Sequence, residues 1–187
     1  MERIKRRTCA AWALAIVSAA MLAERLLGRR AWGISGEPGL WSGDVNSSHN
    51  SQFVADPYSF SHLTHGILLY GLAWLVAQRM PLRVRALLAL ALESAWEVFE
   101  NTDFIINRYR TATISLHYYG DSIVNSMGDV GFCMVGFALA AILPTRVTVV
   151  VALLLEAGLA FWIRDSLMLN VLMLLWPIAA VKGWQAG

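Results

Sequence analysis

Apolar residues run through this chain in blocks too long for the single faces of a soluble domain. Blocks near the ~20-residue length that carries a helix across a bilayer stand at 10–27, 60–78, 86–106, 122–143, 147–163 and 167–184. They predict an all-α protein, a polytopic transmembrane helical bundle of about six spans that forms a single integral membrane domain over 1–187. Between the blocks the pattern turns polar. The long connection 28–59 is rich in Gly, Ser and Asn, which marks a surface loop, and Trp32, Trp41 and Tyr58 would rest it on the membrane interface. The connection 107–121 reads as a solvated hairpin whose Tyr118 and Tyr119 belong to an aromatic belt. Those around Pro81 and Pro144 are short. No internal repeat, low-complexity tract or second domain interrupts the series.

Composition agrees with the pattern. Of 187 residues, 57% are hydrophobic and 15% charged, against about 25% charged in a soluble domain. The net charge of +2 says little, but the placement of the 15 Lys and Arg residues says more. Nine of them, Arg3, Lys5, Arg6, Arg7, Arg79, Arg83, Arg85, Arg146 and Lys182, fall at one set of span ends. The other six, Arg25, Arg29, Arg30, Arg108, Arg110 and Arg164, fall at the opposite set. By the positive-inside rule this favours both termini inside.

The first block, preceded by M-E-R-I-K-R-R, reads either as a secretory signal or as an uncleaved first helix. Its apolar run continues to Leu27, which favours the helix. Cys9 and Cys133 both fall in spans, as buried thiols rather than a disulfide. Topology accounts for the arginines, and neither a P-loop nor a dinucleotide glycine pattern occurs, so nucleic acid is not an expected partner.

One stretch breaks the apolar rule. E-S-A-W-E-V-F-E-N-T-D, residues 93–103, places four carboxylates inside a block. On a helix Glu93, Glu97 and Glu100 share one face, with Asp103 one near-turn further. An acid at the centre of a membrane helix costs about 2.5–3.5 kcal/mol on insertion scales. The stripe must therefore meet polar partners or water inside the bundle.

Other blocks supply such partners. F-S-H-L-T-H carries His62 and His65 three residues apart. Y-G-D-S-I-V-N-S-M-G-D-V-G carries Asp121, Asn125 and Asp129 on one stripe, with Gly128 and Gly131 small enough for close helix approach. Glu156 stands alone in the fifth block. At ~1.5 Å per residue from the outer ends, His65 and Glu100 lie about 9 Å deep, Glu156 about 10 Å, and Asp129 and Glu97 about 12–14 Å. Glu93 is deeper, and Asp103 and Asp121 stand near the mouth. The pattern describes a cavity open to the outside and ending near mid-membrane.

The stretches D-P-Y-S-F-S-H-L-T-H-G-I-L-L-Y, E-S-A-W-E-V-F-E-N-T-D-F-I-I-N-R-Y-R and I-S-L-H-Y-Y-G-D-S-I-V-N-S-M-G-D resemble a family of uncharacterised bacterial multi-pass membrane proteins over about residues 50–184. That resemblance implies an inner-membrane location and no particular activity. Asp121, Asn125 and Gly128 also fit the D-x-x-x-N-x-x-G element of VanZ-like membrane proteins, a resemblance that implies work on the cell envelope. The Glu/His stripe is additional to that pattern.

Three functions are compatible with these residues. In the first, His62 and His65 ligate a divalent metal such as zinc, and Glu97, Glu100 and Asp129 complete the ligand set or act as general base in hydrolysis of a lipid or envelope precursor. In the second, the acids and histidines form the relay of a proton- or cation-coupled transporter. In the third, the chain is a non-catalytic envelope binding or assembly protein that recognises a lipid headgroup, with Arg108, Arg110 and Arg164 at the rim available to phosphate.

Overall fold

A computed structural model of the chain describes residues 5–33, 36–113, 115 and 118–187. Among the described residues the protein is all-helical, with no strand beyond an isolated bridge between Trp41 and Ala55. The helices are α1 (Arg6–Leu26), α2 (Ser59–Val76), α3 (Leu82–Glu100), α4 (Asp103–Ala112), α5 (Ile123–Ile142), α6 (Thr145–Trp162), α7 (Leu167–Leu175) and α8 (Ala179–Ala186). Three of them, α1, α5 and α6, are long and apolar enough to cross a membrane. Helices α2 and α3 are of similar length but carry the histidines and acids. Leu22 on α1 and Leu154 and Phe161 on α6 are exposed, the surface expected of helices whose solvent is lipid.

The centre of the bundle is the pair α2 and α5, with α3 packed on α5, α1 on α3, and α6 on α2. Glycine permits the central contact. A Cβ on Gly66 would overlap the carbonyl of Cys133, and one on Gly136 would overlap the carbonyl of Leu63. Both obstacles are backbone, which cannot swing aside. Gly128 instead admits the carbonyl of Val54 from the loop above, and Gly131, expected to face a helix, meets open space. Gly136→Val is therefore expected to cost 3 kcal/mol or more, at the upper end of the ~1–3 kcal/mol of ordinary overpacking. Gly131→Val is expected to be near neutral. Thermal unfolding of the two variants in detergent measures the difference.

Two blocks are broken where single helices were expected. The 86–106 block ends at Glu100 and restarts at Asp103. The cause is Asn101, which is wholly buried. Its Nδ2 donates to Glu97 O at 3.1 Å, Asp121 Oδ2 at 3.0 Å and Ser126 Oγ at 3.3 Å, and its Oδ1 accepts from Asp121 N at 2.7 Å. Side-chain bonds of this kind compete with helix continuation. The 167–184 block breaks after Leu175, where Pro177 removes a backbone donor. A helix of nine residues spans only about 14 Å. The chain then turns back. Gln185 Nε2 donates to Asp165 Oδ1 at 3.1 Å, Arg164 Nη1 to Trp184 O at 3.2 Å, and Lys182 Nζ to Thr111 O at 3.0 Å. Residues 184 and 185 thus lie beside the residues that precede α7, and this block is a hairpin of two short helices rather than one continuous helix.

The 28–59 connection also departs from a surface loop. Ser51, Gln52, Asp56 and Pro57 are buried, latched over the start of α5. Gln52 Nε2 donates to Gly120 O at 3.0 Å, Ser122 Oγ to Gln52 O at 2.9 Å, and Asn125 Nδ2 to Phe53 O at 2.9 Å. Trp41 stacks on Trp162, with ring centroids 6.3 Å apart. This loop, α4, the approach to α5 and the 163–166 turn gather at one end of the bundle and roof it. Both cysteines are free, Cys133 wholly buried and Cys9 half-buried on α1.

Candidate functional site

Beneath the roof, α2 and α3 bring their polar faces together. His62 is the hub. Its Nδ1 lies 2.7 Å from Glu93 Oε1 and 3.2 Å from Glu97 Oε1, and its Nε2 lies 3.9 Å from Asp129 Oδ2. His65, one turn on, directs its Nδ1 to the same Glu93 oxygen at 3.0 Å. The two rings meet edge to face with centroids 4.9 Å apart. Asp129 enters from α5 and accepts from Ser59 Oγ at 2.6 Å. Ser59 Oγ is in turn within 3.1 Å of Asp56 N, which ties the latch loop to the site.

Two overlapping sets of potential ligands result, His62 with His65 and Glu93, and His62 with Glu97 and Glu100, each with ligand atoms within 4.8 Å of one another. Glu97 is peculiar within them. It is 1% exposed, yet neither carboxylate oxygen has a hydrogen bond, because His62 Nδ1 is out of line. A buried polar group left in that state costs ~1–3 kcal/mol.

A small cavity of about 60 Å³ opens beside the cluster. His62, His65, Glu100 and Asp129 reach its wall, and Asp121 stands further toward the roof. Asp121 is held by Tyr118 Oη at 3.0 Å and by Asn101. Burial, together with the neighbouring carboxylates of Glu100 and Asp129, holds the Asp121 carboxyl well above the usual range. Burial likewise pushes Asp165 up to about 6, although Tyr58 Oη donates to it at 3.3 Å.

The remaining sequence-derived candidates lie elsewhere. Asp103 is exposed on the first turn of α4, carried outward by the break at Asn101. Glu156 accepts from Leu167 N at 3.3 Å and Met168 N at 3.0 Å, where a carboxylate satisfies the free amides of a helix start. Asn125 is buried beneath the latch loop rather than on the cavity wall. Tyr118 turns inward against Tyr109 instead of joining a belt, while Tyr119 is exposed beneath Arg110.

Sequence reasoning passed over several wall residues. Tyr58, read from sequence as an interface anchor, and Ser61 share a face with the predicted His65 at spacings of three and four, so D-P-Y-S-F-S-H-L-T-H already held the signal. Glu24 was hidden in the first block beside Arg25. It is wholly buried on α1, away from the cavity wall.

The model of the DUF2585 family, described as a protein of unknown function, matches residues 25–187. The chain belongs to this family. UPF0314 proteins are its relatives. That of Rhizobium etli is 51% identical over 93% of this chain and 89% of its own length. That of Rhizobium meliloti is 49% identical over 98% and 94%, and that of Paracoccus denitrificans 48% over 97% and 94%. No solved structure matches. The family match supports the resemblance to uncharacterised bacterial membrane proteins and carries no activity with it.

Proposed function

We propose that this DUF2585 protein is a multi-pass inner-membrane protein whose outward-facing intramembrane site binds a divalent cation, zinc by donor type. The reaction assigned to that site is hydrolysis of a bond in a lipid or envelope precursor. The observation that carries the reading is the convergence of His62, His65 and Glu93, the mixed nitrogen and carboxylate donor set that zinc takes. Bound there, the cation would lower the pKa of a coordinated water. Glu100 and Asp129, on the cavity wall, and Glu97, buried behind His62, are the carboxylates in reach for general-base work. The metal content of the purified full-length chain tests this. One zinc per chain is expected, and a chain that stays metal-free after exposure to zinc rejects the reading.

For topology, five crossings by α1, α2, α3, α5 and α6 suit the fold better than six. The return of residues 182–185 to Asp165 and Thr111 then puts the C-terminal residues on the roofed, outer side. With Lys182 moved outside, the 15 basic residues divide eight to seven. Orientation then rests on the basic residues before α1 and at the short turns around Pro81 and Pro144. Single cysteines at Ser47 and Gly187, in a chain lacking Cys9 and Cys133, are both expected to react with a membrane-impermeant maleimide from outside. Protection of Gly187 restores the six-span arrangement.

A further inference from the structure

We propose that the outer part of the cavity recognises an ammonium group, so that the ligand of this site is an amine-bearing molecule rather than an anion or a neutral polyol. The inference rests on the reading above for the inner, histidine-lined part. Three carboxylates, Glu100, Asp121 and Asp129, reach the wall, and among the described residues no Lys or Arg does. The arginines that sequence placed at the rim are engaged elsewhere. Arg108 Nε donates to Leu174 O at 2.7 Å, Arg110 covers the Tyr119 ring at 4.9 Å, and Arg164 binds Trp184 O. A phosphate would therefore meet the carboxylates of this wall, whereas an ammonium group would be received by them.

The rest of the wall suits a cation. Tyr109 and Tyr118 stand at 72° with centroids 5.1 Å apart, which sets two ring faces at an angle. Their hydroxyls are anchored, Tyr109 to Asn170 Oδ1 at 3.0 Å and Tyr118 to Asp121 at 3.0 Å. Trp96 completes an aromatic wall of the kind that attracts ammonium groups. Ser61, also on this wall, is 6% exposed, and its buried hydroxyl has no hydrogen-bond partner. It is an acceptor left over for an N–H donor.

The test uses the full-length, zinc-exposed chain in phosphatidylglycerol nanodiscs, titrated with ethylammonium, glycerol or inorganic phosphate and followed by calorimetry and tryptophan fluorescence. Saturable ethylammonium binding is expected below about 50 mM, with glycerol and phosphate at least about tenfold weaker. Tyr118→Leu and Tyr109→Leu are each expected to weaken it about tenfold while bound zinc is unchanged. Replacing half of the lipid with phosphatidylethanolamine separates the sources. Lost ethylammonium binding assigns a lipid headgroup, and retained binding assigns a soluble amine. Phosphate or glycerol binding as tightly as ethylammonium overturns the proposal, as does a zinc-loaded chain without saturable ethylammonium binding. Ethylammonium binding to a chain that takes up no zinc rejects the metal reading alone.

Discussion

His62→Gln is expected to abolish stoichiometric zinc binding, with a loss in affinity of two orders of magnitude or more, whereas His65→Gln weakens it less. His62 belongs to both ligand sets, and His65 to one. Loss of a group that only orients a ligand typically costs about 10–100-fold, so loss of a ligand shared by both sets should exceed that range. Glutamine is the informative substitution, because its amide can still donate to Glu93, which His62 now approaches at 2.7 Å. His62→Ala would take the shared imidazole away from Glu93, Glu97 and Asp129, leaving only His65 Nδ1 at Glu93 and Ser59 Oγ at Asp129, and a buried charge stripped of its partner costs about 3–5 kcal/mol. Lost zinc in the alanine variant alone would therefore not separate ligation from unfolding. The measurement is zinc per chain together with the unfolding temperature. Full zinc occupancy in a stable His62→Gln chain would remove the hub from the site.

Sequence periodicity anticipated the polar cluster of α2, α3 and α5 to within a helical turn for a physical reason. Glu93 and Glu97 stand four residues apart on one face, and no lipid-facing position tolerates them, so α3 had to turn that face inward. The same argument placed His62, His65 and Asp129. What periodicity cannot read is where a helix stops when a distant group competes for its backbone. Asn101 ends α3 because Asp121, twenty residues on, supplies both a donor and an acceptor. That break carries Asp103 out of the stripe and creates α4, whose Tyr109 helps to wall the cavity. The return of residues 182–185 was hidden for a similar reason. Hydropathy sees a continuous apolar block over 167–184, whereas the bonds that reverse it run to Asp165 and Thr111. Local polarity was legible, and long-range hydrogen bonding was not.

Glu97→Gln is expected to leave the protein folded, with its zinc content within about twofold, and to abolish the phenotype that the wild-type gene restores to a deletion strain. Both oxygens of Glu97 are buried without a hydrogen bond, so the native carboxylate already carries a cost of about 1–3 kcal/mol. Removing the acid should not destabilise, and the apolar variant Glu97→Met should be more stable by up to about that amount. A residue retained at the expense of stability is the pattern expected of a functional group. If Glu97 were glue between helices, Glu97→Gln would keep the phenotype, and the site would lose its claim to chemistry in favour of the assembly reading. The remaining outcome is a loss of about 3–5 kcal/mol in Glu97→Gln, the cost of breaking a buried ion pair. That result would show that the 3.2 Å approach of His62 Nδ1 to Glu97 Oε1 is a structural salt bridge. Unfolding temperatures and phenotypic rescue, taken together on the two variants, distinguish all three.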